Sequence, residues 1–261
     1  MSSTPSTEAA DRFVGPVDVT NWASPIGRGL ADAHHQLAKR IGSRRALAAS
    51  LAVGMSVAVA ATYAVTRIYD GVADDSGIES VDRPILLRAM ELRSPALDGI
   101  AAGIARAFGP VGMPILSLAA AGILARNRRS PTPLVLVGAA GAGSVAMTIA
   151  GKDLAHRHRP PHRDAIAPYE TSPSFPSGHT LNATTVVGVL AYLLVLRQQR
   201  TLPQVATVGG AVGTAITVGL SRVLLGAHWF TDVLVGWVTG SGWLALVITS
   251  HRLYLTSRSR S

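Results

Sequence analysis

The 261-residue chain is 48% apolar and only 15% charged, well below the ~25% charged residues of soluble domains, which excludes an ordinary water-soluble protein. It has no cysteine, so a disulfide framework, thiolate catalysis and a Cys-ligated metal are excluded too. The net charge of +9 falls in short runs between apolar stretches, without the aromatic-interleaved patch of a nucleic-acid reader; membrane topology, not nucleic acid, is the expectation.

Residues 1–45 lack a long apolar run, and the first part is rich in Ser, Thr, Pro and Ala. They read as a mostly disordered cytoplasmic tail leading into a short amphipathic piece from Leu30 to Ile41. A cleaved signal peptide is not expected, because the first apolar stretch comes too late. Six apolar segments then follow, at about 46–66, 107–125, 133–151, 180–196, 203–220 and 231–249. Each is near the ~20 residues a helix needs to cross ~30 Å of hydrocarbon. The second is the weakest, since Pro110 and Pro114 lie within it. The fifth is rich in Gly, Thr and Ala, a composition suited to close helix packing. Residues 67–106 form the longest connection. Within it, Val81 to Met90 predicts an interfacial helix, and Asp70, Asp74, Asp75 and Glu79 read as a solvated loop. Residues 251–261 read as a second short tail. The predicted fold is therefore all-α: a multi-pass membrane bundle of about six helices spanning 46–250.

Charge sets the expected orientation. With alternating segments, one side holds Arg12, Arg28, Lys39, Arg40, Arg44 and Arg45, then Arg126, Arg128, Arg129, Arg197 and Arg200, and finally Arg252, Arg258 and Arg260. These 14 Lys and Arg residues face only four acids, whereas the other side holds 10 basic and 11 acidic residues. Lys and Arg in short loops mark the cytoplasmic side, so both termini are expected inside.

Three polar clusters then share the outer side: Lys152 to Pro161, Ser174 to His179, and Ser221 to Asp232. Lys152, Arg159 and Arg222 bring three cations from three segment ends, and the Arg fork suits phosphate oxygens. Pro176-Ser177-Gly178 ahead of an apolar helix is an N-terminal signature in which Ser177 can cap and Gly178 lets an anion approach free N–H groups. His228 and Asp232 are spaced i, i+4, so one carboxylate can hold one imidazole nitrogen and leave the other as a nucleophile. His179 is a second imidazole, available to protonate a leaving oxygen. This set suits phosphoryl transfer without a metal, through a covalent phosphohistidine. The local His156, His158 and His162 read as part of a solvated basic loop, and Trp229 and Trp237 as belt and packing residues.

Lys152-x6-Arg159-Pro160, Pro176-Ser177-Gly178-His179 and Ser221-Arg222-x5-His228-x3-Asp232 resemble the three-part signature of the type 2 phosphatidic acid phosphatase superfamily, with every position filled in order. The motifs span 152–232, and the helical pattern extends the likeness to about 45–250. That resemblance implies a lipid phosphatase with His228 as nucleophile, Asp232 as its orienting partner and His179 as general acid. Lys152, Arg159, Ser177, Gly178 and Arg222 would form the phosphate cradle, with no metal and no cofactor. It also implies a lipid phosphate or diphosphate as substrate, such as phosphatidic acid, phosphatidylglycerol phosphate or a polyprenyl diphosphate. The expected location is the plasma membrane, with the site on the extracytoplasmic face. Two rivals use the same residues: vanadate-dependent oxidation, which the membrane spans disfavour, and a non-catalytic lipid-phosphate binder or transporter, which would not require both histidines and the acid.

Overall fold

The computed structural model describes residues 12–73 and 78–260, and side chains outside 67–79. The acids expected in a solvated loop at 70–79 lie outside the described side chains. The chain forms a two-stranded ribbon, β1 (Phe13–Val14) and β2 (Val17–Asp18), and then nine helices. These are α1 (Pro25–Ile41), α2 (Ser43–Ala73), α3 (Ile78–Glu91), α4 (Pro95–Ala107), α5 (Gly112–Arg128), α6 (Thr132–Ala155), α7 (Gly178–Val195), α8 (Thr201–Leu224) and α9 (Phe230–Ser259).

Helices α2, α6, α7, α8 and α9 are each long and apolar enough to cross a membrane. The second predicted segment, at about 107–125, is not one straight helix: α4 and α5 meet at a 60° bend. Pro110 lacks the N–H a continuous helix would use, and its ring clashes with the preceding turn. Glycine makes the turn possible. A Cβ at Gly112 would lie 2.4 Å from the Arg106 and Ala107 carbonyl oxygens, and one at Gly109 would lie 2.8 Å from the Ala105 oxygen. Pro114 falls in the first turn of α5, where a missing donor costs nothing. The helix expected from Val81 exists as α3, although it starts at Ile78, which puts Pro84 in its second turn.

Helix α7 is central, packed against α6, α8 and α9. Small residues let the helices close. Trp243 of α9 is fully buried and donates to the Ala140 oxygen of α6 at 3.1 Å. It lies where a Cβ on Gly143 would be 2.3 Å away.

The tails differ from expectation over 13–41 and 250–259. Ser24 caps α1, accepting from the Gly27 N–H at 3.0 Å, and Pro25 follows. Gly42, at φ +88°, ends the helix. Trp22 Nε1 donates to Thr256 Oγ1 at 3.0 Å, and Arg252 Nε donates to the Val19 oxygen at 2.6 Å. The Arg252 guanidinium lies 4.3 Å from the Trp22 ring centroid, and His34 Nδ1 is 2.7 Å from Ser257 Oγ. The last turns of α9 thus form one buried unit with the N-terminal segment. A polar composition concealed this, because hydrogen bonds and a cation–π stack join the few apolar contacts of Val14, Val19, Tyr254 and Leu255 in holding it.

Candidate active site

The predicted site residues come together at the end of the bundle far from that unit, roughly 30–40 Å away along α9 at 1.5 Å per residue. Lys152 lies in the last turn of α6, His179 in the first turn of α7 and Arg222 in the last turn of α8. His228 and Asp232 flank the start of α9. The loop between α6 and α7 supplies Arg159.

At the centre lies a carboxylate that the motifs do not contain. Glu170, from the loop between α6 and α7, is held by Arg222 Nη2 at 2.5 Å and Arg159 Nη2 at 2.8 Å. His179 Nδ1 is 3.5 Å from Oε1, and His228 Nε2 is 3.8 Å from Oε2. Burial alone would raise this carboxyl, but the positive groups around it, the Arg222 and Arg159 guanidiniums among them, pull it down to about 2. Arg222 is fully buried, and its Nε and Nη1 have no partner among the described residues. A buried guanidinium with donors to spare fits a ligand with more oxygens than a carboxylate, such as a phosphate.

The imidazole tautomers follow from their neighbours. Arg159 Nη1 lies 3.1 Å from His228 Nε2 and 2.5 Å from the Ala227 oxygen. A guanidinium only donates, so Nε2 carries the lone pair and Nδ1 the proton. That Nδ1 faces Asp232 Oδ2 at 3.4 Å without a hydrogen bond between them; catalytic pairs of this kind tighten when substrate binds. Burial, and then Arg159, hold His228 well below the ordinary 6.5, so the ring is neutral. His179 Nε2 is 3.2 Å from the Ala105 oxygen, which leaves its Nδ1 facing the cradle.

The remaining predicted cradle residues differ in placement. Lys152 Nζ donates to Ser172 Oγ at 2.6 Å and the Pro173 oxygen at 2.8 Å, on the rim of the site. Ser177 stands at the N-cap of α7 but makes no capping bond. Its Oγ instead accepts from Thr180 Oγ1 at 2.9 Å, and its N–H donates to the Asp232 backbone carbonyl oxygen at 3.1 Å. Gly178 lines the cleft, yet glycine is also required there because a Cβ would lie 2.9 Å from Thr148 of α6. Trp229 Nε1 donates to the His158 oxygen, while Trp237 donates to Ala215 and packs over Gly219. Among the described residues, no group of three or more His, Asp or Glu side chains stands where it could hold a metal ion.

Two more residues escaped the sequence reading. Arg157 donates to both Asp232 Oδ1 (2.6 Å) and Asp82 Oδ2 (2.7 Å). A cleft of about 700 Å³ opens from His179 and Glu170 between the α4–α5 bend, α6 and α7. Phe108, Val145 and Ile149 give it an apolar wall, and Lys152 stands at its polar end.

Helices that cross a membrane, with two imidazoles and two guanidiniums converging on an anion position at one end, define an integral-membrane protein built to act on phosphate. The chain belongs to the PAP2 superfamily, on its membrane phosphatase branch: the family's profile matches residues 132–254. It is similar to phosphatidylglycerophosphatase B of Bacillus subtilis, 31% identical over 169 residues, covering 63% of this chain and 80% of that protein. An undecaprenyl-diphosphatase of Sulfolobus acidocaldarius is 37% identical over 82 residues, 31% of this chain and 35% of that one. The crystal structure of a transmembrane PAP2 type phosphatidylglycerolphosphate phosphatase from Bacillus subtilis superposes with a TM-score of 0.62 at 28% identity, covering 72% of this chain and 93% of that one.

Proposed function

We propose that this protein hydrolyses the phosphate monoester or diphosphate of a membrane lipid through a phosphohistidine on His228, without a metal ion, at the extracytoplasmic face. The observation that carries this reading is the Glu170 carboxylate, gripped by Arg159 and Arg222 with His228 Nε2 on one side and His179 Nδ1 on another. A phosphoryl group bound in its place would sit against both imidazoles. His228 Nε2 attacks phosphorus, and the bond to the leaving oxygen breaks as His179, entering the step as the imidazolium with its Nε2–H on the Ala105 oxygen, gives the leaving oxygen the proton from Nδ1. Water then attacks the phosphorus of the P–N bond, His179 takes the proton from that water, and His228 is regenerated with inorganic phosphate. Arg159, Arg222 and Lys152 supply the positive charge that the equatorial oxygens require.

The apolar wall of the cleft supports a lipid tail, because Val111, Val145 and Ile149 along it are exposed apolar side chains. The Lys and Arg bias supports a cytoplasmic location for both termini and hence an outer site. The relatives act on phosphatidylglycerophosphate and undecaprenyl diphosphate by name, and both chemistries suit this cleft. The test is phosphate release by the detergent-purified protein with EDTA present, comparing phosphatidylglycerol phosphate with a polyprenyl diphosphate. Turnover in EDTA, inhibition by vanadate and its loss in His228→Ala are expected. Activity abolished by EDTA and restored by a metal would overturn the mechanism.

A further inference from the structure

We propose that Arg157 and Asp82 are positioning residues for this reaction, aligning Asp232 so that it holds the His228 imidazole in its attacking tautomer. The inference rests on the reading of His228 as nucleophile.

Asp232 is fully buried and each of its oxygens has a separate task. Oδ2 accepts the Trp229 N–H at 2.9 Å and faces His228 Nδ1. Oδ1 accepts from Arg157 Nη1 at 2.6 Å. Because a carboxylate is planar, the partner of Oδ1 sets the rotation of the group and therefore where Oδ2 meets the imidazole. Arg157 is itself fixed from behind. Its other terminal nitrogen donates to Asp82 Oδ2, and Nη1 also donates to Thr231 Oγ1 at 2.8 Å.

Asp82 is 2% exposed and comes from α3, outside all three motifs. It accepts the Thr231 N–H at 2.9 Å and Thr231 Oγ1 at 2.6 Å, beside its pair with Arg157. The outer helix is therefore latched to the first turn of α9, the turn that carries Asp232. The charges also balance usefully. Two carboxylates around one guanidinium leave one net negative charge on the Nδ1 side of His228, which suits the positive ring formed when Nε2 takes the phosphoryl group. A lone Asp232 in this buried place would be an uncompensated charge, which proteins avoid.

Neither Arg157 nor Asp82 touches the Glu170 position, so they should affect rate and not substrate affinity. Arg157→Ala is expected to lower kcat about 10–100-fold, the range that outer partners of a functional histidine command, with KM and the vanadate inhibition constant unchanged. Arg157→Lys should recover part of the loss, restoring the charge without the two-pronged fork. The deciding measurement is a double-mutant cycle. In an Asp232→Asn background, Arg157→Ala should cost little further, because groups acting as a unit are non-additive. An equal loss in both backgrounds, or a raised KM with intact kcat, would overturn the proposal. If Arg157→Ala fails to fold, by its thermal midpoint in detergent, Asp82→Asn enters the same cycle. Turnover surviving in His228→Ala would instead refute the underlying mechanism, so the two failures are distinguishable.

Discussion

On the proposed mechanism Glu170 occupies the place a phosphate would need, and replacing it gives the most direct test of the cradle. In Glu170→Gln the side chain keeps its size and an acceptor but loses the charge that pairs with Arg159 and Arg222 at 2.8 and 2.5 Å. Hydrogen bonds to charged groups contribute about 1.5–3 kcal/mol each. Glu170 is one quarter exposed, so a net change of about 2 kcal/mol in favour of an incoming anion is the reasonable magnitude, or about 30-fold in affinity. Vanadate should therefore inhibit the variant at about 30-fold lower concentration. The resting variant should be less stable, because Arg222 loses its counter-charge in a buried place, and saturating vanadate should raise its thermal midpoint more than that of the unmodified protein. Glu170 is held down at about 2, so its stabilising effect is complete above the ordinary carboxylate range. It disappears as pH falls toward 2, and the variant should lack that acid step. An unchanged or weaker vanadate inhibition, with an unchanged thermal midpoint, would refute the idea that this carboxylate stands in for substrate phosphate.

The other predictions use different readouts. Asp232→Asn should preserve vanadate binding while lowering kcat by about 10⁴-fold, as loss of the orienting acid does in catalytic triads; a loss below tenfold would remove Asp232 from its role. His228 lies well below 6.5, so it stays unprotonated as pH falls through the ordinary histidine range. The acid limb of kcat/KM, corrected for ionisation of the substrate phosphate, should fall below that value, and a limb at 6.5 or above would contradict the assignment. Gly143→Leu would force a side chain into the Trp243 ring and should cost about 1–3 kcal/mol or more of stability, read as a lowered thermal midpoint in detergent.

What could be read from the sequence was whatever depends on local order or on long-range charge bias. Apolar runs of bilayer length specify membrane helices because hydrocarbon leaves the backbone no other partner. The three motifs mark ends of helices that alternate across the membrane, so their common side followed before any contact was known. The bend at 108–111 was already hinted at by Pro110, whereas its angle depends on how closely Gly109 and Gly112 let α5 approach the end of α4. Glu170 could have been noticed as a lone acid among the cations of its loop. Nothing in its spacing, however, says that it reaches Arg222, 52 residues away. Asp82 is less legible still, since it meets Thr231 across 149 residues. These two carboxylates, the cleft beside them and the burial of α9 against the N-terminal segment were decided only by the tertiary structure. Periodicity records which face of a helix avoids water, but it does not record which distant charge will neutralise a buried one.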